Sequence, residues 1–379
     1  MIITRTCSDK DKSDMKKLWN ELFNDSERFT DWLFDYRFLP EYCACTYDDD
    51  LLISGMHSYP MPLLIRGKEI SSVMISGVAT IDSYRKKGLM HSTFGHLMNE
   101  LYDKGVFATT LKAVSLPVYY SLNHYGCTKS AYIHSNTQNN HISVADYIPT
   151  SSDTDKSDCR KVNIYSEISS LHNCYNIFTK NYSGIAIRDA QAFKRKMDDY
   201  LSDDAHAIAV FKNGKVSGYC IYFVDKEISA EEFIANDFFS ARLLFKTLNV
   251  GRKKIALKTS QIIAKWITDK DINIQDQNSM GIVNIRQLLK TICNNSDYRV
   301  KITDSFFDKN NGVYLFNGEK TENNAHMEIS SGQLMRLING YMSLEELASS
   351  GNALIYDKIA CVEISKMLPK QNCFIIDEY

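Results

Sequence analysis

Residues 77–94 read GVATIDSYRKKGLMHSTF: a β-like run turns through three consecutive cations and one glycine, then takes up helical periodicity. A strand that enters such a turn and leaves it as a helix brings backbone N–H groups without intrahelical partners to the helix mouth, along with a partial positive charge. A phosphate placed there is held by the main chain itself. Gly88 lets the backbone approach closely, and Arg85, Lys86 and Lys87 add long-range attraction. The pattern predicts a pyrophosphate cradle at the end of a strand, although a solvated turn would explain the same cations if they stood alone.

The flanking chain favours the cradle. Strand-like runs cover residues 42–47, 51–59, 61–65 and 73–81, and a helical start lies near residues 14–23. After the turn, Leu89, Met90, Phe94, Leu97, Met98 and Leu101 recur at helical spacing, and Gly105 stands where a C-terminal cap belongs. Residues 106–115 read as the next strand. A chain of 379 residues exceeds one ordinary core and divides into three segments, 1–149, 150–279 and 280–379. Polar residues 151–161 (SSDTDKSDCRK) read as a linker. In the second segment, residues 205–211 and 216–224 flank KNGK, a hairpin signal, because asparagine and glycine tolerate positive φ. A helical stretch over 237–248 follows, and GRKK at 251–254 mimics the cationic turn but follows a helix, so it reads as surface charge.

Composition excludes several classes. With 44% hydrophobic and 24% charged residues the chain is globular, and no run approaches the roughly 18 apolar residues of a membrane span. The charged N-terminus lacks a signal-peptide core, so a cytoplasmic protein is expected. Ten scattered cysteines, with no second pair to match Cys43 and Cys45, predict reduced thiols and no metal site. A net charge of −2 argues against nucleic-acid binding through many phosphate contacts. A GxxxxGK[ST] phosphate loop is absent.

The series Gly77-Val78-Ala79-Thr80, then Tyr84-Arg85-Lys86-Lys87-Gly88-Leu89-Met90, resembles the acetyl-coenzyme A signature of GNAT N-acetyltransferases, and most of all their Eis (enhanced intracellular survival) branch. HSYP at 57–60, MGIVNIRQLL at 280–289, SSGQLMRLINGYMSLEEL at 330–347 and the terminal DEY are also similar to that branch. The resemblance implies an α+β (α/β) fold: tandem GNAT folds, with mixed, mostly antiparallel sheets and flanking helices, then a sterol-carrier-protein-like α/β domain. Residues 1–149 would be catalytic, 150–279 a GNAT-like domain without a cofactor site, and 280–379 the domain that supplies the C-terminal carboxylate.

It further implies acetyl transfer from acetyl-coenzyme A to a small-molecule or peptide primary amine, without metal, in a homo-oligomer. Such transfer needs a proton acceptor for the ammonium, a donor for the oxyanion and a proton for the departing thiolate. By resemblance the proton donor is Tyr120, with Tyr119 its competitor, and the base is the α-carboxylate of Tyr379. Burial would raise that carboxylate from its ordinary value of about 3.3 to 3.7 toward usefulness. Val78, Ala79 and Thr80 would meet the pantetheine and thioester. Lys86, Lys87, Gly88, Leu89, Met90 and His91 would hold the pyrophosphate, with Ser115 and Leu116 further along the arm. Glu378, and more weakly Asp31 and Asp35, would attract a cationic substrate. The alternative is a coenzyme A or lipid sensor without turnover.

Overall fold

The computed structural model describes residues 1–113, 115–135, 157–249, 254–268, 272–293 and 297–378. It is a mixed α/β molecule with two seven-stranded sheets, one of three strands and one of four. The first sheet holds the strands Ile2–Thr6 (β1), Ala44–Asp48 (β2), Leu51–Pro60 (β3), Ser72–Thr80 (β4), Ala108–Lys112 (β5), Tyr125–Gly126 (β6) and Asn278–Ile282 (β7), in the order β1-β2-β3-β4-β5-β7-β6. All its pairings are antiparallel except β4 with β5.

Two cores flank this sheet. Helix Leu89–Asp103 (α3) carries Phe94, Leu97, Met98 and Leu101 into a cluster with Val73, Ile75 and Met56. Helices Lys12–Leu22 (α1) and Glu27–Tyr36 (α2) pack Met15, Leu18, Trp19, Phe29, Leu33 and Phe34 against Leu52 and Ala79. Phe94 is fully buried, worth about 1.5–3 kcal/mol over an exposed ring.

Strand β4 contributes to both clusters, and its alternation is broken between Ser76 and Ala79. Gly55 faces Ala79 and His57 faces Ser76, so Gly77 and Val78 together oppose Met56 as a bulge. The extra residue inverts the side-chain parity. Val73 and Ile75 point to the α3 cluster, as does Val78, while Ala79 joins the α1–α2 cluster.

The second sheet runs Ser157–Lys161, His206–Lys212, Lys215–Val224, Ile228–Ala235, Ile255–Thr259, Lys129–Ser135 and Asn273–Asp276. Its hairpin turns at Asn213 and Gly214, both with positive φ, as KNGK predicts. Ser157–Lys161, read above as linker, is instead an edge strand paired with His206–Lys212. Its half-exposed polar residues carry no core pattern, so composition alone suggested a connection. Residues 136–156 and 250–253, which include all but Lys254 of the GRKK run, lie outside the described residues. The two large sheets share chain: Lys129–Ser135 sits in the second sheet, and β7, which follows the second sheet's last strand, sits in the first. A four-stranded sheet, Gly312–Leu315, Arg299–Thr303, Met327–Ser330 and Ala353–Ile355, packs with the helix Ser331–Asn339, which ends at Gly340 with φ 80°. Among the described residues no helix is long and apolar enough to cross a membrane.

Candidate active site

The site begins where β4 and β5 part. Their parallel ladder runs from Ser72 with Ala108 to Ile75 with Leu111 and stops, while β4 continues to Thr80. The bulge at Gly77 and Val78 turns the strand away from β5, leaving its last residues with backbone groups open on that edge. Gly77 takes φ 55°, which favours glycine.

From Thr80 the chain enters the cationic turn. Arg85 donates from Nε to the Thr80 carbonyl at 3.1 Å and pairs with Asp82 at 2.9 Å, stapling the turn to its strand. Lys87 lies over the Tyr84 ring at 4.5 Å, and the Tyr84 hydroxyl donates to Asp48 at 2.7 Å. Lys86 and Gly88 have φ of 62° and 77°, a concave backbone suited to an anion. Helix α3 starts from Gly88 with no side-chain cap and no acid in its first turn. Its first N–H groups are thus left for a ligand.

These pieces enclose a cleft of about 670 Å³. Val78, Ala79, Thr80, Lys86, Gly88, Leu89, Met90, His91 and Ser115 line it, all of them named from sequence. Lys87 and Leu116 do not line it, Lys87 being engaged with Tyr84. Leu22 and Phe23, Tyr84 and Arg85, and Val118 and Tyr119 line it in addition. The α1 end that supplies Leu22 and Phe23 had no motif to reveal it.

The two tyrosines occupy different places on the short helix Leu116–Tyr120 (α4). Tyr119 lines the cleft half-buried, and burial raises its phenol above the ordinary value, which keeps it protonated. Tyr120 is 41% exposed and stacks on Tyr125, with ring centroids 4.8 Å apart and planes at 13°. The following loop folds back on both: Leu122 N–H and His124 N–H donate to the Tyr119 carbonyl, and Asn123 N–H to that of Tyr120.

Residues 372–378 thread between the segments. Ser183 N–H donates to the Asn372 carbonyl and Lys129 N–H to that of Cys373. Phe374, Ile375 and Ile376 are buried. Asp377, also buried, accepts from Arg188, which holds Glu232 with its other nitrogen at 3.0 Å. Glu378 pairs with Lys112, the last residue of β5, and with Lys258, and accepts from Gln277 at 2.7 Å. Burial alone would raise the Glu378 carboxyl, but Lys258 and Lys112 outweigh it and hold it down to about 2. Glu378 is therefore a neutralised anchor. Beside it a cavity of about 290 Å³ is lined by Asp199, Asp203 and Glu231 as well as Lys196 and Lys258. Asp31 and Asp35 lie apart from the cleft, in exposed pairs with Lys16 and Lys12. Tyr379 lies outside the described residues. Among the described residues no group of three or more histidine, cysteine or acidic side chains could hold a metal.

Comparison with known proteins agrees with this geometry. Residues 4–127 match the family described as acetyltransferase (GNAT) domain. No curated protein matches the chain. Solved structures align over all of it. A probable N-acyltransferase from Enterococcus faecalis is 16% identical, with TM-score 0.82 and full coverage of both chains. A GCN5-related N-acetyltransferase from Anabaena variabilis is 14% identical at TM-score 0.81, again with full coverage of both. Eis1 from Mycobacterium abscessus is 13% identical at TM-score 0.76, also covering both chains completely. At these identities the likeness is one of fold.

Proposed function

We propose that this acetyltransferase, with the GNAT domain of residues 4–127 at its head, moves an acetyl group from acetyl-coenzyme A to a primary amine by direct attack on the thioester. The observation that carries the reading is the single cleft in which the open edge of β4 leads into the uncapped start of α3. A pantetheine arm is an extended chain of amides, and it finds backbone partners along Val78, Ala79 and Thr80. Its pyrophosphate meets the N–H groups of Leu89, Met90 and His91.

The chemistry then needs three groups. The amine lone pair attacks the carbonyl carbon, and the oxyanion is met by a backbone N–H within residues 78–80. As the C–S bond breaks, the thiolate takes a proton from a phenol, and the ammonium proton passes to a base. The resemblance assigns the phenol to Tyr120; the lining of the cleft favours Tyr119, whose protonated form burial secures. The base in this reading is the α-carboxylate of Tyr379. Burial of residues 374–377 supports it, because it leads the chain toward the end of β5 and away from solvent.

We further place the chain in the Eis branch, with the three-part division 1–149, 150–279 and 280–379 taken in chain order and with Lys129–Ser135 and β7 crossing its boundaries into the second and first sheets. The GVAT and YRKKGLM series and the full-length likeness to the Mycobacterium Eis1 fold support that placement. The test is thioester consumption with a panel of amines (polyamines, aminoglycosides, lysine peptides), alongside coenzyme A titration. Amine-dependent release of free thiol is the expected result. Coenzyme A binding without turnover on any amine would replace the enzyme by a sensor.

A further inference from the structure

Loop 304–311, in the third segment, touches both the loop that follows α4 and the start of α3. Asp304 is buried, and its two oxygens are filled. One accepts from the backbone N–H groups of Phe306 and Phe307 and from Asn123 Nδ2 at 2.8 Å. The other accepts from Ser331 Oγ at 2.6 Å and Asn310 Nδ2 at 3.1 Å. A carboxylate with five donors has little freedom. Of those five, Asn123 alone belongs to the first segment. Asn123 has φ 54° and sits on the hydrogen bonds that fold the loop back onto Tyr119 and Tyr120.

Two residues beyond Asp304, the Phe306 ring meets His91 edge-on at 4.7 Å and Phe94 at 5.8 Å. A Cβ on Gly95 would lie 3.8 Å from the Phe306 ring, an ordinary van der Waals contact, so the approach does not depend on that glycine. Lys309 pairs with Asp103 at 3.3 Å, so the loop is also tied to the far end of α3. His91 lines the cleft at the start of that helix. The Phe306 N–H bond to Asp304 makes ring and carboxylate parts of one turn.

We propose that Asp304 and Phe306 are positioning residues: Asp304 holds the tyrosine loop through Asn123, Phe306 holds the acyl-donor helix through His91, and occupancy of one is transmitted to the other through loop 304–311. The inference rests on the acyl-donor reading of the cleft. It makes the third segment a working part of the site, acting through a discrete set of contacts.

Hydrogen exchange on the full chain with saturating coenzyme A tests it without requiring turnover. Protection is expected at the start of α3, in 304–311 and in 119–124. Asn123→Gly tolerates the left-handed backbone and removes the side-chain bond. It should lower kcat about tenfold with the acetyl-coenzyme A KM within about twofold, and abolish protection of 119–124 while 304–311 stays protected. Phe306→Leu should instead raise that KM by about fivefold and remove protection from 304–311. Protection confined to α3 in the unmodified chain, or equal changes in kcat and KM in both variants, overturns the proposal. Absence of protection at α3 itself would overturn the acyl-donor reading first, and the two failures are thereby separated.

Discussion

Trp19 lies directly over Gly77: a Cβ placed on that glycine would stand 2.2 Å from Cζ3 of the indole. Helix α1 and the β4 bulge can approach this closely because the bulge residue has no side chain and takes φ 55°. Gly77→Ala meets both the left-handed penalty and overpacking, and about 2–4 kcal/mol of stability should be lost. Urea denaturation measures it. Trp19→Leu in the same chain should recover part of the loss, and no recovery would show that the backbone conformation alone sets the cost.

The start of α3 offers a cleaner separation of backbone from charge. Nothing lies within 4 Å of a Cβ built on Gly88, so Gly88→Ala acts through its φ of 77° only. Coenzyme A affinity should fall about five- to tenfold as the N–H groups turn away. Lys87→Ala, which removes an exposed cation already engaged with Tyr84, should cost less than about threefold. Calorimetric titration of both variants decides it, and the reverse ranking would return the grip to the cations.

Tyr119→Phe and Tyr120→Phe form a paired experiment. If the cleft lining governs, Tyr119→Phe lowers kcat about 100-fold with little change in acetyl-coenzyme A KM, and Tyr120→Phe lowers it less than about threefold. Steady-state kinetics at saturating amine read the difference. The opposite outcome assigns the proton donor to Tyr120 and requires its exposed ring to turn inward when substrate binds.

The tail makes stability depend on acid. Burial alone would raise both of its carboxyls, but Arg188 and Lys196 hold Asp377 low, and Lys258 and Lys112 hold Glu378 at about 2. A carboxyl depressed in the folded state stabilises above its unfolded pKa of about 4 and loses that contribution as pH falls through the folded value. Stability should therefore decline from about pH 4.5 toward pH 2, and Glu378→Gln should flatten the decline. Denaturation curves across that range check it; parallel curves for the two proteins would refute it. At pH 7, Arg188→Met leaves buried Glu232 without its cation and Asp377 with only Lys196 and Arg37 to offset its charge, and should cost about 3–5 kcal/mol.

Where local chemistry decides structure, the sequence was readable. The strand, turn and α3 lie where GVAT, RKKG and the spacing from Leu89 to Leu101 put them, and KNGK forms its hairpin. Eight cleft residues follow from that one stretch, and Ser115 is the ninth named from sequence. Long-range choices left no such trace. Ser157–Lys161 has no apolar alternation and becomes a strand only because His206–Lys212 offers an edge. Asn123 reaches Asp304 across 181 residues of chain, and no periodicity links it to the turn of Asp304 and Phe306. The parity inversion at Gly77 is likewise invisible until β3 supplies the register.

Strand β7 pairs with β5 across roughly 170 residues of intervening chain, Ser279 opposite Leu111 and Gly281 opposite Thr109. Closing so distant a pair delays folding, because loop entropy is lost before the contact repays it. It also means that residues 4–127, the stretch recognisable as an acetyltransferase domain, complete only the β1-to-β5 part of the sheet, because β6 joins it through β7. Excised, that stretch would present the bare edge of β5 to any neighbour and tend to aggregate. The smallest unit that could be expressed or engineered with an intact cleft extends past Ile282, so the domain as recognised and the domain as folded are different objects.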